Sequence, residues 1–332
     1  MRAVVVRHNG DLQSPDLAEA EEPSAGTGQV LISVHSADVN FPDTMMVEGT
    51  YQLRPPLPFT PGMAAAGTIV AIGRDVQGWR VGDRVLAVLD YGAFAEKIAV
   101  AATSCHRLPD ALSFEKAAAM GLVYLTAYFA LFERARIQPG ETVLILGAKG
   151  GIGVASTQIA RALGAGKVIA GVRDDDKVSF ALTLGADHVV DLNADGLQDN
   201  LRDEVHQLTD GRGADVVIDP VGGDVTQAAL RAMAFRGRLV VIGYASGDIP
   251  AIPTNYLLLK NIAVLGLQLA DFRHSLPDDV AAAQARLFEF YRQGRIDPFV
   301  SLTLPLERFS EALDRIREGR VMGKVVLNIS GH

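Results

Sequence analysis

The run Leu144–Gly153, LILGAKGGIG, constrains the fold most, because it places a glycine-rich turn between a strand-like and a helix-like segment. The preceding Thr142–Gly147 is nearly all apolar, as expected for a strand covered on both faces. Without a Cβ atom, Gly150 lets the backbone approach a pyrophosphate, and Gly153 lets the following helix pack close to the strand. The helix N-terminus would offer free N–H groups and partial positive charge. The predicted dinucleotide contacts of this turn are Lys149, Gly150, Gly151, Ile152 and Gly153.

From about residue 122 onward, strand-like runs alternate with helical ones. The predicted strands are Thr142–Gly147, Lys167–Val172, Asp187–Asp191, Ala214–Asp219, Gly237–Gly243 and Asn261–Leu267. The predicted helices between them include Asp176–Leu184, Leu197–Leu208 and Val225–Phe235. This alternation predicts an α/β fold with a doubly wound parallel sheet, the Rossmann arrangement, over residues 122–267.

The first 120 or so residues have a different pattern. Short apolar runs at Val30–Val34, Gly67–Ile72 and Asp83–Leu89 are separated by proline and glycine, which predicts a compact, barrel-like β domain. After residue 267 we predict helices near Val280–Gln293 and Leu306–Gly319, and a last strand near 324–329. We expect this tail to fold back onto the first domain, which would then comprise residues 1–121 and 268–332.

Composition excludes several classes of protein. Hydrophobic residues make up 48% of the chain and charged residues 21%, which is globular composition, and the formal net charge of −8 disfavours a nucleic-acid partner. The longest apolar stretch, near Gly121–Phe132, is well short of the ~20 residues that a membrane span needs, so we expect no membrane partner. Cys105 is the one cysteine, so neither an internal disulfide nor a cysteine-based zinc site can form, and a cytoplasmic location fits.

The end of the second predicted strand bears on the choice between NADH and NADPH. Gly171-Val172 is followed by Arg173, and Lys177 lies four residues further on, so both cations are candidates to bind a 2′-phosphate. The run Asp174–Asp176 leaves two interpretations open, since an aspartate there can bind ribose or cap the next helix. We predict NADPH as the cofactor.

Several further segments carry a family resemblance. They are Asp38-Val-Asn40-Phe-Pro-Asp43, Gly49-Thr-Tyr51, Pro61-Gly62-Met-Ala-Ala-Ala-Gly67, Gly82-Asp83-Arg84-Val85, Leu125-Thr126-Ala127-Tyr128, Gly237-Arg-Leu-Val-Val-Ile-Gly243 and Gly323-Lys324-Val-Val-Leu327. In this order, and with the glycine turn, they resemble the medium-chain dehydrogenase/reductase superfamily, and within it the zinc-independent quinone oxidoreductases. The resemblance implies a β-rich, GroES-like barrel as the catalytic domain beside the Rossmann sheet.

The resemblance also allows a prediction about whether the chain has a zinc site. Zinc-dependent relatives place Cys where Asn40 stands, a His-Glu pair where Met63-Ala64 stands, and a four-cysteine lobe after the segment ending near Leu89. Asn and Met are poor zinc ligands, so we predict no metal site. Closer relatives commonly keep a glutamate at position 64 and a tyrosine where Leu192 stands, and the second departure counts against NADPH.

Without zinc as a Lewis acid, the hydride acceptor must disperse the incoming charge itself. Quinones, enones and α,β-unsaturated thioesters do so, and the cofactor supplies the hydride. The resemblance therefore implies an NADPH-dependent quinone reductase, with an enoyl or acryloyl thioester reductase as the first alternative and a non-catalytic NADPH-binding structural protein as the second. It also implies a homodimer, joined through the apolar strand Asn261–Leu267 at the sheet edge.

The same resemblance assigns roles to individual residues. Asn40 would line the nicotinamide site, Thr126 would face the ring or its phosphate side, and Gly243 and Tyr244 would close the ring's other flank. Tyr51 and Tyr128 are candidate hydrogen-bond donors to a substrate oxygen, with ordinary core or rim packing as the alternative. The predicted catalytic residues are thus Asn40, Tyr51 and Tyr128. The remaining predicted cofactor contacts are Val221, Ile242 and Arg320, the last of which fits a solvated helix-end charge equally well.

Overall fold

The computed structural model describes residues 1–173 and 178–329, and the chain divides into two compact units. Unit 1 comprises Met1–Leu122, Phe272–Phe288 and the described residues from Pro298 onward, and unit 2 comprises Val123–Asp271 and Glu289–Asp297. The boundaries predicted from the sequence placed residues 268–332 wholly in the first domain, and this was wrong for two segments of that tail.

Hydrogen bonds explain why one of these segments, Glu289–Asp297, belongs to unit 2. The side chain of Gln158 donates to Asp297 O at 2.9 Å and accepts from Asp297 N at 2.9 Å. Arg295 also donates to Ala162 O. A sequence pattern does not reveal such reciprocal bonds between distant segments.

The first part of the chain is rich in strands, and strands alternate with helices from β8 to β13. The strands are β1 (Arg2–Val5), β2 (Asp16–Glu19), β3 (Gln29–Val39), β4 (Ala64–Ile72), β5 (Arg84–Val88), β6 (Lys97–Ala101), β7 (Cys105–Arg107), β8 (Thr142–Leu146), β9 (Lys167–Val172), β10 (His188–Asp191), β11 (Ala214–Asp219), β12 (Met233–Val241), β13 (Ala263–Gly266), β14 (Val300–Pro305) and β15 (Lys324–Asn328). The helices are α1 (Phe41–Glu48), α2 (Phe114–Tyr128), α3 (Gly151–Ala162), α4 (Val178–Thr183), α5 (Leu197–Leu208), α6 (Gly223–Ala232), α7 (Thr254–Lys260), α8 (Leu269–Ser275), α9 (Pro277–Arg292) and α10 (Phe309–Arg317).

Unit 1 is built on a mixed sheet in the order β14-β15-β3-β4-β5-β7, with β6 also pairing with β3. Its pairs are antiparallel except for β14 with β15. The long strand β3 buries one face in an apolar core through Val30, Ile32 and Val34. Strand β3 ends at Val39 and helix α1 begins at Phe41, so Asn40 between them is held in position by both elements.

Unit 2 is built on a parallel sheet in the order β10-β9-β8-β11-β12-β13. The central strand β8 is buried at every position, as its apolar sequence predicts. The order reverses between β8 and β11, and in open parallel sheets ligands bind beyond the carboxyl ends of the strands at such a reversal. The doubly wound α/β prediction is confirmed.

The boundary between α6 and β12 differs from the sequence prediction. The helix predicted over Val225–Phe235 ends at Ala232, and β12 begins at Met233 instead of at Gly237. Met233 pairs with Ala214 of β11, so sheet pairing outweighs the helical spacing there. No helix in the described part of the chain combines the length and the apolar composition of a membrane span.

Candidate functional site

In the glycine turn after β8, packing requires glycine at position 153 but not at position 150. A Cβ atom on Gly153 would lie 2.4 Å from Ala148 Cα and 2.5 Å from Gly147 O, so the chain itself requires glycine there. A Cβ atom on Gly150 would meet only Gly147 O, at an ordinary 3.7 Å. Gly150 also has φ of −79°, which any residue adopts. The packing of the turn therefore does not explain Gly150, and the space above it is open for a ligand.

The same turn forms the N-terminus of α3. The first intrahelical bond is donated by Val154 N to Gly150 O, at 2.9 Å, so the N–H groups of Gly151, Ile152 and Gly153 precede the helical ladder. The first turn of α3 carries no acidic residue and no capping side chain. Free N–H groups and the positive end of a helix dipole suit a pyrophosphate.

The carboxyl ends of β8 and β11 meet at this turn. A Cβ atom on Gly147 would lie 3.0 Å from Val221 Cγ2, so the two loops are in close contact. The buried carboxylate of Asp219 shapes the loop after β11, because it accepts from Val221 N at 2.9 Å and Gly222 N at 3.0 Å. Thr226 of α6 donates to its other oxygen.

The segment after β12 is hydrogen-bonded to the loop after β11. Ile242 N donates to Asp219 O at 2.8 Å, and Ala245 N donates to Pro220 O at 3.0 Å. The ring of Tyr244 packs on Gly222, whose Cβ position lies 3.0 Å from Tyr244 Cδ1. The structure thus brings the glycine turn, Val221 and the segment Ile242–Tyr244 together at one end of the sheet.

Arg173 follows directly on β9 at this end of the sheet. Its side chain is exposed, Val172 before it is buried, and Asn193 Nδ2 donates to Arg173 O. Leu192, which stands where closer relatives have tyrosine, is buried beside Gly171, 3.0 Å from its Cβ position. The other predicted phosphate contact, Lys177, and the run Asp174–Asp176 lie outside the described residues.

In unit 1, Asn40 is buried and held at both of its ends. Its backbone N–H donates to Asp43 Oδ2 at 2.8 Å, and its side-chain Oδ1 accepts from Lys324 Nζ at 2.5 Å. Lys324 Nζ also donates to Val39 O at 3.0 Å and lies 3.1 Å from Asp38 Oδ2. We refer to Asp38, Asn40, Asp43 and Lys324 as the buried polar cluster.

Burial dominates the electrostatics of this cluster. It raises the pKa of Asp38 above its ordinary value, against the opposing effect of the Lys324 ammonium. Burial, and after it the nearby Asp38 carboxylate, raise the pKa of Asp43 to about 7, although two backbone N–H groups donate to Asp43. Asp43 therefore fixes the start of α1 and the loop at Gly62, which is a capping role.

The other predicted site residues have varied environments. Tyr128 ends α2 in a buried position and stacks on Phe132 with ring centroids 5.1 Å apart, while Tyr51 is half-buried against the unit 1 core. Thr126 is buried within α2. Arg320 is exposed and pairs with Glu318, as expected of a helix-end charge.

An open cavity of about 790 Å³ in unit 1 has a different lining. It includes Arg7, Asp90, Tyr91, Arg273 and His274. None of the predicted site residues that the structure describes is among the residues lining it. The glycine turn in unit 2 and the buried polar cluster in unit 1 are therefore considered separately as candidate functional regions.

Sequence reasoning missed Asp38, Lys324 and Asp219 as site-organising residues. Lys324 begins strand β15 and precedes three buried apolar residues, and a buried lysine in such a position needs a partner. That signal identifies the residue, but not the partner 284 positions away in the chain.

Two family models match the chain. The model described as "Alcohol dehydrogenase GroES-like domain" matches residues 26–110, and that described as "Zinc-binding dehydrogenase" matches residues 151–285. With the observed sheets, these matches define the class of protein, an oxidoreductase with a GroES-like and a Rossmann domain.

Comparison with individual proteins narrows this class. The chain is 37% identical to mouse quinone oxidoreductase-like protein 2 over 320 residues, which is 96% of this chain and 90% of the mouse protein. The structure of Escherichia coli quinone oxidoreductase complexed with NADPH aligns with a TM-score of 0.91 at 28% identity, covering 99% of this chain and all of that one. The CurK enoyl reductase structure aligns with a TM-score of 0.89 at 25% identity, covering 99% of each chain. The chain belongs to the zinc-independent quinone oxidoreductase family of the medium-chain dehydrogenase/reductase superfamily.

The name of one matched domain implies zinc, but the residues present do not fit that metal. No group of three or more His, Cys, Asp or Glu side chains suited to a metal occurs within residues 1–173 and 178–329. At Asn40 the side-chain oxygen already accepts from the ammonium of Lys324, and that positive charge would repel a cation.

We expect purified protein to contain no stoichiometric zinc. Elemental analysis checks this directly, and a chelator should leave activity unchanged. One zinc per chain, together with loss of activity on chelation, would contradict the prediction.

Proposed function

We propose that this protein is an NADPH-dependent reductase that transfers hydride to a quinone or a related conjugated acceptor. The observation that carries the proposal is the unfilled space above Gly150, at the uncapped N-terminus of α3 and at the point where the strand order reverses. This combination of an open backbone approach and free N–H groups suits the pyrophosphate of a dinucleotide.

The residues of unit 2 would bind and orient the cofactor. The N–H groups of Gly151, Ile152 and Gly153 would donate to the pyrophosphate, and Arg173 would bind the 2′-phosphate. Val221 and the segment Ile242–Tyr244, held by Asp219 and Pro220, would form the wall beside the nicotinamide. When bound, NADPH supplies the hydride, and the protein contributes alignment, exclusion of water and hydrogen bonds.

Asn40 would bind the acceptor. Its Nδ2 is among the buried polar atoms without a hydrogen-bond partner in the described residues. A buried amide group left unbonded costs about 1–3 kcal/mol, so a ligand oxygen at this position would be stabilised. Tyr51 and Tyr128 stay proposals as further donors to the acceptor.

Steady-state oxidation of NADPH tests the proposal against its alternatives. We expect turnover with small quinones to exceed turnover with crotonyl and acryloyl thioesters. The similarity to an enoyl reductase structure supports the first alternative, and faster turnover with the thioesters would establish it. NADPH binding without turnover of either class would favour a non-catalytic, structural role.

Changing Arg173 to alanine should raise the Michaelis constant for NADPH at least tenfold. Its guanidinium is exposed at the end of β9, and a charge-assisted hydrogen bond contributes roughly 1.5–3 kcal/mol. NADH, which lacks the 2′-phosphate, serves as the internal control and should be nearly unaffected. Equal weakening of both cofactors would show that Arg173 does not bind the phosphate.

We also propose a homodimer formed through β13. This strand lies at the end of the sheet order, and the neighbouring helix α7 exposes Leu258 and Leu259 at 77% and 75%. Unpaired edges and exposed apolar side chains both favour association. Sedimentation at micromolar concentration should give twice the chain mass of 35.3 kDa, and a stable monomer would rule the dimer out.

A further inference from the structure

The ammonium group of Lys324 is buried at the junction of β3 and α1. Lys324 begins β15, which pairs antiparallel with β3 so that Val325 lies opposite Val39. This pairing brings Nζ to 3.0 Å from Val39 O and 2.5 Å from Asn40 Oδ1. Both Lys324 and Asn40 are 4% exposed, so solvent hardly screens the contact.

This contact fixes which way the Asn40 amide points. A lysine ammonium donates and does not accept, so the amide oxygen must face it and the amide NH₂ must face away. The backbone bond from Asn40 N to Asp43 Oδ2 anchors the same residue from the other side. Nδ2 is thus presented in a fixed direction, as a buried donor without a partner in the described chain.

Asp38 is the neighbour that competes for this donor. Its carboxylate interacts with both Lys324 and Asn40. Neither of its oxygens, however, accepts a hydrogen bond of normal geometry from the described residues. An amide NH₂ has two hydrogens, so even where one is directed at the Asp38 carboxylate the other is available to an oxygen of a bound molecule. An experiment must separate that use from a bond to Asp38.

We propose that Lys324 is a positioning residue, which holds and polarises the Asn40 amide so that Nδ2 donates to the carbonyl oxygen of the hydride acceptor. The inference rests on the proposed function. As hydride adds to the conjugated system, the displaced π electrons move onto the carbonyl oxygen, and a proton from water later completes the reduction. A donor already aimed at that oxygen stabilises the developing charge, and the lysine bonded to the other end of the amide strengthens that donor.

A double-mutant cycle separates this role from simple packing. Asn40→Ala should lower kcat about 100-fold, the usual effect of removing a preorganised donor, while the Michaelis constant for NADPH stays within twofold. Lys324→Met keeps the side-chain length and should lower kcat at least tenfold. The double variant should be no slower than Asn40→Ala, because Lys324 acts through Asn40, and Lys324→Arg should recover part of the activity.

The matched control is Lys167→Met. It removes another lysine hydrogen bond to a backbone oxygen, Leu208 O, at the start of β9. It should leave kcat unchanged. Losses that multiply in the Asn40 and Lys324 double variant would overturn the inference, since Lys324 would then act independently of the amide.

A second measurement needs no turnover. In ¹⁵N spectra, the side-chain amide signal of Asn40 is identified by its absence in Asn40→Ala. Adding tetramethyl-1,4-benzoquinone, which has no ring position open to alkylation, should shift this signal in the wild type but not in Lys324→Met. An equal shift in Lys324→Met would overturn the positioning role. Absence of a shift in the wild type would overturn it too, because Nδ2 would then belong to Asp38.

The two proposals fail in different ways. If the wild type reduces no quinone or conjugated thioester, the proposed function fails, whatever the amide signal shows. If it reduces a quinone, but the kcat losses of Asn40→Ala and Lys324→Met multiply in the double variant, the proposed function stands and the positioning role of Lys324 is wrong.

Discussion

Replacing Gly153 by alanine should lower the free energy of unfolding by about 3 kcal/mol, the upper range for overpacking a dense site. The new Cβ would lie 2.4 Å from Ala148 Cα and 2.5 Å from Gly147 O, which are backbone atoms with little freedom to move. The melting temperature should fall by about 4–5 °C. Calorimetry of the purified variant, without cofactor, measures both quantities.

Gly150→Ala is the matched control for this change, because it adds the same methyl group three residues earlier. Its Cβ would meet only Gly147 O at 3.7 Å, so we expect a melting temperature within about 2 °C of the wild type. The methyl group would instead occupy the approach to the pyrophosphate, and the dissociation constant for NADPH should rise at least about tenfold, or 1.4 kcal/mol. An unstable Gly150→Ala, or one that binds NADPH normally, would contradict our interpretation of the turn.

The contribution of Asp43 to the free energy of unfolding should fall as the pH rises from about 4 to about 7. Burial raises the folded-state pKa of Asp43 to about 7, from an ordinary value of 3.8. Within this range the unfolded chain has already released the proton that the folded chain retains, so raising the pH favours unfolding. The slope is at most about 1.4 kcal/mol per pH unit, and the total is on the order of a few kcal/mol.

The control for this pH dependence is Asp43→Asn, which cannot titrate. It should be less stable at every pH, because its amide NH₂ would face the N–H of Asn40 or of Gly62. Asp38 and Lys324, the charged groups beside Asp43, are the same in both proteins. Urea unfolding at pH 5 and pH 8 should show the advantage of the wild type shrinking at the higher pH. A constant or growing advantage would mean that Asp43 is ionised throughout.

The sequence predicted those parts of the fold that local pattern controls. Strands β9 and β11 and helix α5 have the predicted bounds, because each is a regular run that ends in a clear break. Helix α1 was not predicted, since it is short and starts with Phe41-Pro42 after a long strand. Its start is fixed partly by a local capping bond from Asn40 N to the Asp43 carboxylate three residues later, and partly by the non-local bond from Gly62 N to the same carboxylate.

The candidate site likewise has one part that could be predicted from the sequence and one part that could not. The glycine turn was predictable because its residues are contiguous in the sequence and lie between a regular strand pattern and a regular helix pattern. The contact of Lys324 with Asn40 could not be predicted, because only the pairing of β15 with β3 brings the two residues together. Asn40 was singled out through resemblance to a family, and the sequence contained no indication of what orients its amide.

The position of Lys324 far along the chain from the glycine turn has a consequence for biosynthesis. A chain emerging from the ribosome displays the glycine turn and the strands around it well before residue 324 exists, and domains generally fold as units during synthesis. The orientation of the Asn40 amide depends on a contact that spans 284 residues, so it cannot be established until residue 324 has been synthesised. A nascent chain would therefore form the glycine turn before Lys324 could orient the Asn40 amide.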